Sequence, residues 1–126
     1  MDRKIKVIFL DVENGKGPEV IEIKDELDSY LQTLRIDTID IIRRNIAGVS
    51  YQIVCDDEGL LKENPTLSAV DVNSVGQLVG NLIITGLSDG EGNLTGLNKN
   101  DVDRIMERFT YTLNLNKGWG TVLVID

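Results

Sequence analysis

Hydrophobic and polar positions alternate along the N-terminal half of the chain, with the period of two that half-buried strands have. Residues 3–10 alternate weakly and predict a strand, and residues 19–23 predict the second strand of a hairpin across the turn cluster at 14–18. Residues 38–46 and 49–55 are rich in β-branched side chains and flank another turn. The pattern therefore predicts an N-terminal half built mainly of strands.

Two other stretches have the helical period of three to four residues. Residues 25–35 predict the first helix, whose apolar face is formed by Leu27, Tyr30, Leu31 and Leu34. Residues 98–109 predict the second helix, in which Asn98 is a favourable N-cap and Asp101 completes a short capping box. Its apolar stripe consists of Val102, Ile105, Met106 and Phe109.

The remaining segments complete the prediction of fold class. Residues 78–87 are apolar and short, which predicts one buried strand, whereas residues 62–77 have no clear period. Residues 110–115 and 120–125 predict a C-terminal hairpin. The order of these elements predicts a single α+β domain over the whole chain, with a mostly antiparallel sheet and two helices.

The composition excludes several classes of function but does not identify a specific function. The 126 residues include 13 basic and 21 acidic side chains and carry a net charge of −8. General electrostatic attraction to nucleic acid or to an anionic membrane is therefore unfavourable, so we expect neither as a partner. The acidity either serves solubility or imitates a polyanion.

The chain contains no histidine, which excludes Ser-His-Asp and Cys-His catalysis and the commonest zinc sites. We therefore expect no enzymatic activity and no cofactor. Cys55 is the single cysteine, so there is no disulfide framework, and we expect a buried thiol and a cytosolic protein. We find no apolar run long enough for a membrane span.

The glycine-rich acidic stretch 80–97 raises the possibility of a calcium or phosphate loop. A calcium loop that starts at Asp89 has Leu94 at its sixth position and Asn100 at its twelfth, and both are wrong. The glycines at 90, 92 and 96 are spaced one residue too far apart for a dinucleotide fingerprint. On residue chemistry alone, the stretch is best explained as a turn whose glycines take positive φ.

Arginine pairs and one tryptophan each have a functional and a structural interpretation. Arg104 and Arg108 lie one turn apart on the second helix and can grip a phosphate, or they can form a solvated face. Arg43 and Arg44 favour protection of a sheet edge over a binding site. Trp119, between two glycines, is expected to fill the core at the end of a hairpin, although it can also stack on a base.

Several short motifs occur in an order that resembles a family of small proteins from phages and mobile elements, domain of unknown function 3846. The resemblance covers most of the chain from residue 5 to residue 109 and leaves the C-terminal hairpin outside. The motifs are Ile5-Lys6-Val7-Ile8, residues 18–23, the first helix, residues 53–61, residues 79–86 and residues 92–97.

The same layout also resembles the phage Thoeris anti-defence sponges of the first type. That resemblance implies a non-enzymatic protein that sequesters a cyclic ADP-ribose isomer made by a host immune enzyme, and in some relatives cyclic oligonucleotides, as a dimer or higher homo-oligomer. It also implies site residues. Leu82 falls where such proteins often carry an aromatic that stacks on adenine, Asn93 would bind the base or ribose, and Arg104 or Arg108 would hold a phosphate.

Two alternatives remain open from the sequence. An acidic anti-restriction protein that imitates DNA phosphates fits the net charge, although the acidic residues are interleaved with basic ones. An interaction module without a small ligand would instead present an exposed apolar patch.

Overall fold

The computed structural model describes residues 3–61, 65–114 and 118–126. Two helices and nine strands in these residues confirm the α+β class and the C-terminal hairpin. The elements are β1 (Lys4–Leu10), β2 (Glu19–Lys24), α1 (Leu27–Leu34), β3 (Ile39–Ile46), β4 (Val49–Asp56), β5 (Leu67–Val70), β6 (Gly76–Val79), β7 (Leu82–Thr85), α2 (Lys99–Met106), β8 (Phe109–Asn114) and β9 (Gly118–Val124), with turns of 3-10 helix at Val12–Asn14 and Gly59–Leu61.

The strands form two sheets, a division that the sequence pattern did not predict. The five-stranded sheet has the order β2-β1-β7-β4-β3 and is antiparallel throughout. The four-stranded sheet has the order β6-β5-β9-β8, in which β5 and β9 are parallel and the other neighbours are antiparallel. Segments distant in sequence therefore lie side by side.

Both faces of the five-stranded sheet are covered, which explains why its central strands are apolar at successive positions. On one face, Val7 and Ile83 pack with Tyr30 of α1. On the other face, the adjacent residues Ile8 and Ile84 pack in a core that also contains Ala69 of β5, Ile105 of α2 and Leu123 of β9. Alternate side chains point to opposite faces, so two buried faces remove the polar half of the pattern.

The single strand predicted over residues 78–87 is wrong, because a turn at Gly80 divides it between the two sheets. Gly80 has a φ of 82°, in the left-handed region that favours glycine. β6 before it pairs with β5, whereas β7 after it pairs with β1 and β4. The buried side chain of Asn81 fixes this crossing, since it accepts the backbone N–H of Glu13 at 3.1 Å.

Both helices are shorter than predicted. α1 begins two residues after Asp25, whose carboxylate instead accepts the hydroxyl of Tyr30 and the backbone N–H of Leu94, both at 2.8 Å. α2 has the predicted capping box of Asn98 and Asp101, and ends at Met106. The chain then enters β8, so the last three residues predicted as helix are not helical.

Candidate functional site

The glycine-rich loop is a turn, as residue chemistry predicted. Gly90 and Gly92 have φ of 85° and 88°. The Asp89 carboxylate accepts the backbone N–H groups of Glu91 and Asn93 at 2.8 and 3.2 Å, and these bonds lower the pKa of Asp89. A bridge between Ser88 and Leu94 closes the turn. This loop is thus held by its own polar groups.

Asn93 is exposed, and its side-chain amide donates to the Asp89 carboxylate at 3.2 Å. It lines a concave surface of about 380 Å³ beside the start of α1, together with Asp25, Glu26 and Gln52. The described residues that line this surface include two carboxylates and no cation. The two carboxylates disfavour a phosphate here, Arg3 lies near enough to interact with Asp89, and the amides can bind a neutral polar group.

Arg104 clamps α2 onto the five-stranded sheet. It donates to the Tyr51 hydroxyl at 2.7 Å and to the Asp101 carboxylate at 3.0 Å. Tyr51 is buried and donates to the same carboxylate at 2.8 Å. Burial raises the pKa of Tyr51, and the bond to Asp101 adds to the rise. Arg104 therefore already has two partners within the fold.

Arg108 faces a different acid. Its guanidinium lies 3.7 Å from the Asp126 carboxylate. That carboxylate also accepts the backbone N–H groups of Ala47 and Gly48, at 3.1 and 2.6 Å, in the turn between β3 and β4. Arg108, between α2 and β8, is thus linked to this turn through Asp126.

The structure does not bring Asn93 together with Arg104 and Arg108, so the predicted pocket needs correction. Arg104 binds Tyr51, whereas Asn93 shares its surface with the next residue, Gln52. Successive residues of a strand point to opposite faces, so the five-stranded sheet separates Arg104 from Asn93.

Leu82 is also misplaced in the prediction, because its side chain is fully buried in the core between the sheets. A ligand would have to displace core packing to touch it. Leu82 is therefore a core residue in this structure.

A larger cleft of about 690 Å³ opens between the two sheets. One wall comes from β3 and β4 and the other from β5 and β6. Its lining combines apolar side chains with charged groups at the rim: Asp40, Ile42, Arg44, Cys55, Asp56, Asp57, Gly59, Leu61, Leu67, Gly76, Gln77, Leu78 and Val79.

The register of β3 against β4 determines where the charged groups lie along one wall of this cleft. Asp40 lies opposite Cys55 and Arg44 lies opposite Tyr51, with Ile42 between them on the same face. One wall of the cleft therefore runs from a carboxylate over an apolar centre to a guanidinium. Arg44 is exposed and donates to its neighbour's carbonyl, that of Arg43, at 2.8 Å.

The Cys55 thiol in this wall is not an activated nucleophile. It is buried and donates to the Asp40 carbonyl at 3.7 Å. Burial, followed by the negative charges of Asp40 and Asp56, raises the pKa of Cys55 to about 11. The thiol therefore stays protonated at neutral pH, and the thiolate, which is the reactive species, does not form.

The sequence contained one signal for this wall, which was the alternation of Asp40, Ile42 and Arg44. The prediction of Arg43 and Arg44 as an edge pair is consistent with β3 being an edge strand. What the pattern lacked was the second wall, because residues 62–77 had no period and the second sheet was not foreseen.

One known protein family matches most of the chain. The model of the family described as Domain of unknown function (DUF3846) matches residues 5–110. The chain belongs to this family. The match spans the glycine-rich loop, α2 and the cleft, and stops within β8. No curated protein and no solved structure matches the chain.

Within residues 3–61, 65–114 and 118–126, no helix has the length and apolar character needed to cross a membrane. Across the same residues, histidine, cysteine and carboxylate side chains form no group of three or more that could hold a metal ion.

Proposed function

We propose that this protein is a non-enzymatic counter-defence protein of the phage type, which sequesters a nucleotide immune signal in the cleft between its sheets. A cyclic ADP-ribose isomer is the proposed ligand, as the resemblance to the Thoeris sponges suggests. The observation that carries the proposal is the cleft wall, where Arg44 and Asp40 stand at opposite ends of an apolar surface.

Size and wall chemistry support a small organic ligand. Small-molecule sites usually enclose ~300–1,000 Å³ and combine apolar walls with a few polar groups. This cleft of about 690 Å³ lies in that range. Ile42, Leu67 and Leu78 supply apolar area against which a purine face can pack.

Two of the four charged groups among the described residues that line the cleft, Arg44 and Asp40, fit separate parts of a nucleotide; the other two are Asp56 and Asp57. A guanidinium binds phosphate oxygens bidentately, so Arg44 is the proposed phosphate contact. A carboxylate accepts the hydroxyl hydrogens of a ribose, as in dinucleotide-binding proteins, so Asp40 is the proposed ribose contact. Gln77 lies on the other wall, where its side-chain oxygen can accept from a base edge while its nitrogen donates to the Asp71 carboxylate and the Val75 carbonyl.

Sequestration without turnover is part of the proposal. The chain contains no histidine to act as a general base, and the Cys55 thiol beside the cleft is held in its protonated form. Tight binding alone is enough to remove a signal from its receptor, provided that the protein is in excess.

Isothermal titration calorimetry with a cyclic ADP-ribose isomer tests the proposal. We expect Arg44→Ala to weaken binding about tenfold to a hundredfold, because a hydrogen bond to a charged group contributes about 1.5–3 kcal/mol. The matched control is Arg43→Ala, since Arg43 is the adjacent residue of the same exposed edge strand and does not line the cleft. It should bind as wild type does.

The same titration separates the competing locations. Loss of binding in Asn93→Ala with Arg44→Ala unchanged would move the ligand to the surface beside α1. No heat with wild-type protein, at concentrations up to the solubility limit of the ligand, would contradict sequestration of this ligand.

A further inference from the structure

β8 forms one edge of the four-stranded sheet. Within the described part of the chain, no strand pairs with its outer side. Every second residue of an edge strand directs its N–H and C=O outward, where they can pair with another strand. β8 therefore offers a row of backbone donors and acceptors over Phe109–Asn114.

This edge differs from the edges of the five-stranded sheet in its charge. β2 at one edge contains Glu19, Glu22 and Lys24, and β3 at the other contains Arg43 and Arg44. Charged side chains on an edge oppose the addition of a further strand. β8 has the sequence FTYTLN, with no charged residue, although the chain as a whole carries −8. Two copies can thus approach along β8 without local charge repulsion.

The same hairpin carries an exposed apolar face. Phe109 and Leu123 are opposite each other, and Leu123 is buried in the core. Farther along the same face, Tyr111, Leu113 and Trp119 are 72%, 57% and 72% exposed. Trp119 lies opposite Leu113. The predicted burial of Trp119 is therefore wrong, because the core face of the hairpin continues beyond the core.

The alternation of β8 makes it complementary to itself. In an antiparallel pair, directly opposed side chains lie on the same face of the sheet. A two-fold axis perpendicular to the sheet therefore places odd-numbered residues of β8 opposite odd-numbered ones, and even-numbered residues opposite even-numbered ones. On one face, such a pairing places the apolar residues Phe109, Tyr111 and Leu113 of one copy opposite those of the other. On the other face it brings Thr110 and Thr112 of the two copies together.

We propose that β8 is a homodimerisation edge, at which two copies pair antiparallel and join their four-stranded sheets into one continuous sheet of eight strands. Tyr111 and Leu113 of each copy then contact the partner's β8 and lose part of their exposure, and Trp119 of β9 packs beside Leu113 one strand farther from the axis. Burial of aromatic side chains at the centre of an interface is the usual source of its stability.

Sedimentation equilibrium of the full chain at about 5–200 µM tests the pairing, since the protomer mass is 14.0 kDa. Wild type should sediment as a dimer. The double variant Tyr111→Lys, Leu113→Lys should dissociate at least tenfold more readily, because like charges then oppose each other across the axis. The matched control is Val72→Lys, which changes an apolar side chain that is 63% exposed outside β8 and should remain dimeric.

Hydrogen exchange locates the interface without a substitution. Raising the wild-type concentration through the dissociation constant should slow exchange at the outward amides of β8 and leave the amides of β2 unchanged. A monomer throughout the range would overturn the proposal, as would a double variant that stays dimeric or a dimer whose β8 amides show no added protection. A monomer that binds an unrelated extended peptide at β8 would assign the edge to another partner and also overturn it.

Discussion

Tyr51 shows why residue types alone placed the arginines wrongly. Arg44 is its cross-strand neighbour on β3, and Arg104 donates to its hydroxyl from α2. The sequence pattern favoured Arg104 because it lies on the polar side of a well-defined helix. Nothing in that pattern indicated that a tyrosine 53 positions earlier would bind it. Arg44, dismissed as edge protection, is the arginine that lines the cleft.

Cys55 yields a prediction about pH. In the unfolded chain the thiol deprotonates near its ordinary pKa of 9.0, whereas burial raises the pKa to about 11 in the folded protein. Unfolding therefore releases a proton between these values, and stability falls as pH rises through them. A full proton corresponds to about 1.4 kcal/mol per pH unit. Urea unfolding from about pH 8.5 to 9.5, below the ordinary range of tyrosine, measures this slope.

Cys55→Ala is the matched variant for this measurement. It lowers the free energy of unfolding at neutral pH because a core side chain becomes smaller. It should also show a shallower fall over the same interval, since no thiol is left to titrate. Equal slopes for wild type and variant would show that Cys55 does not control the alkaline response.

At the scale of elements, local chemistry predicted the ends of some segments and missed others. The capping box at Asn98 and the turn at Ser88–Gly92 depend on neighbours within a few residues, so they could be read from the sequence. The break at Gly80 could not, because an apolar run on both sides of it is also what one buried strand produces. The structure shows that β6 and β7 belong to different sheets, and Gly80 forms the turn between them.

Gly80→Ala tests that role. A Cβ at residue 80 would meet nothing nearer than 3.9 Å, so any cost arises from the positive φ rather than from a clash. Holding a non-glycine residue in the left-handed region costs about 1–2 kcal/mol. We expect this loss in the free energy of unfolding, measured with urea.

The control is Gly17→Ala. Its Cβ would have no neighbour within 4 Å, and its φ lies outside the left-handed region. This variant should be neutral or slightly stabilised, because alanine lowers the entropy of the unfolded chain. A Gly80→Ala protein as stable as Gly17→Ala would show that the crossing between the sheets tolerates other backbone conformations.

At the scale of the whole molecule, the fold class followed from the sequence but the site did not. The period of each segment indicated strands and helices, and their order indicated an α+β domain. The cleft requires β3 and β4 to face β5 and β6 across two sheets. Such long-range packing leaves no local signal, and the segment that contains β5 had no readable period. Candidate ligand residues chosen from one helix and one loop therefore fell on opposite faces of the five-stranded sheet.

The location of a bound nucleotide distinguishes the cleft from every other surface of the protein. Titration of ¹⁵N-labelled protein with a cyclic ADP-ribose isomer, followed by two-dimensional NMR, reports which backbone amides sense the ligand. We predict the largest shifts at residues 40–44 and 76–79, on the two walls of the cleft. Shifts confined to residues 88–94 and the start of α1, or no shifts at a several-fold excess of ligand, would show that the cleft does not bind this nucleotide.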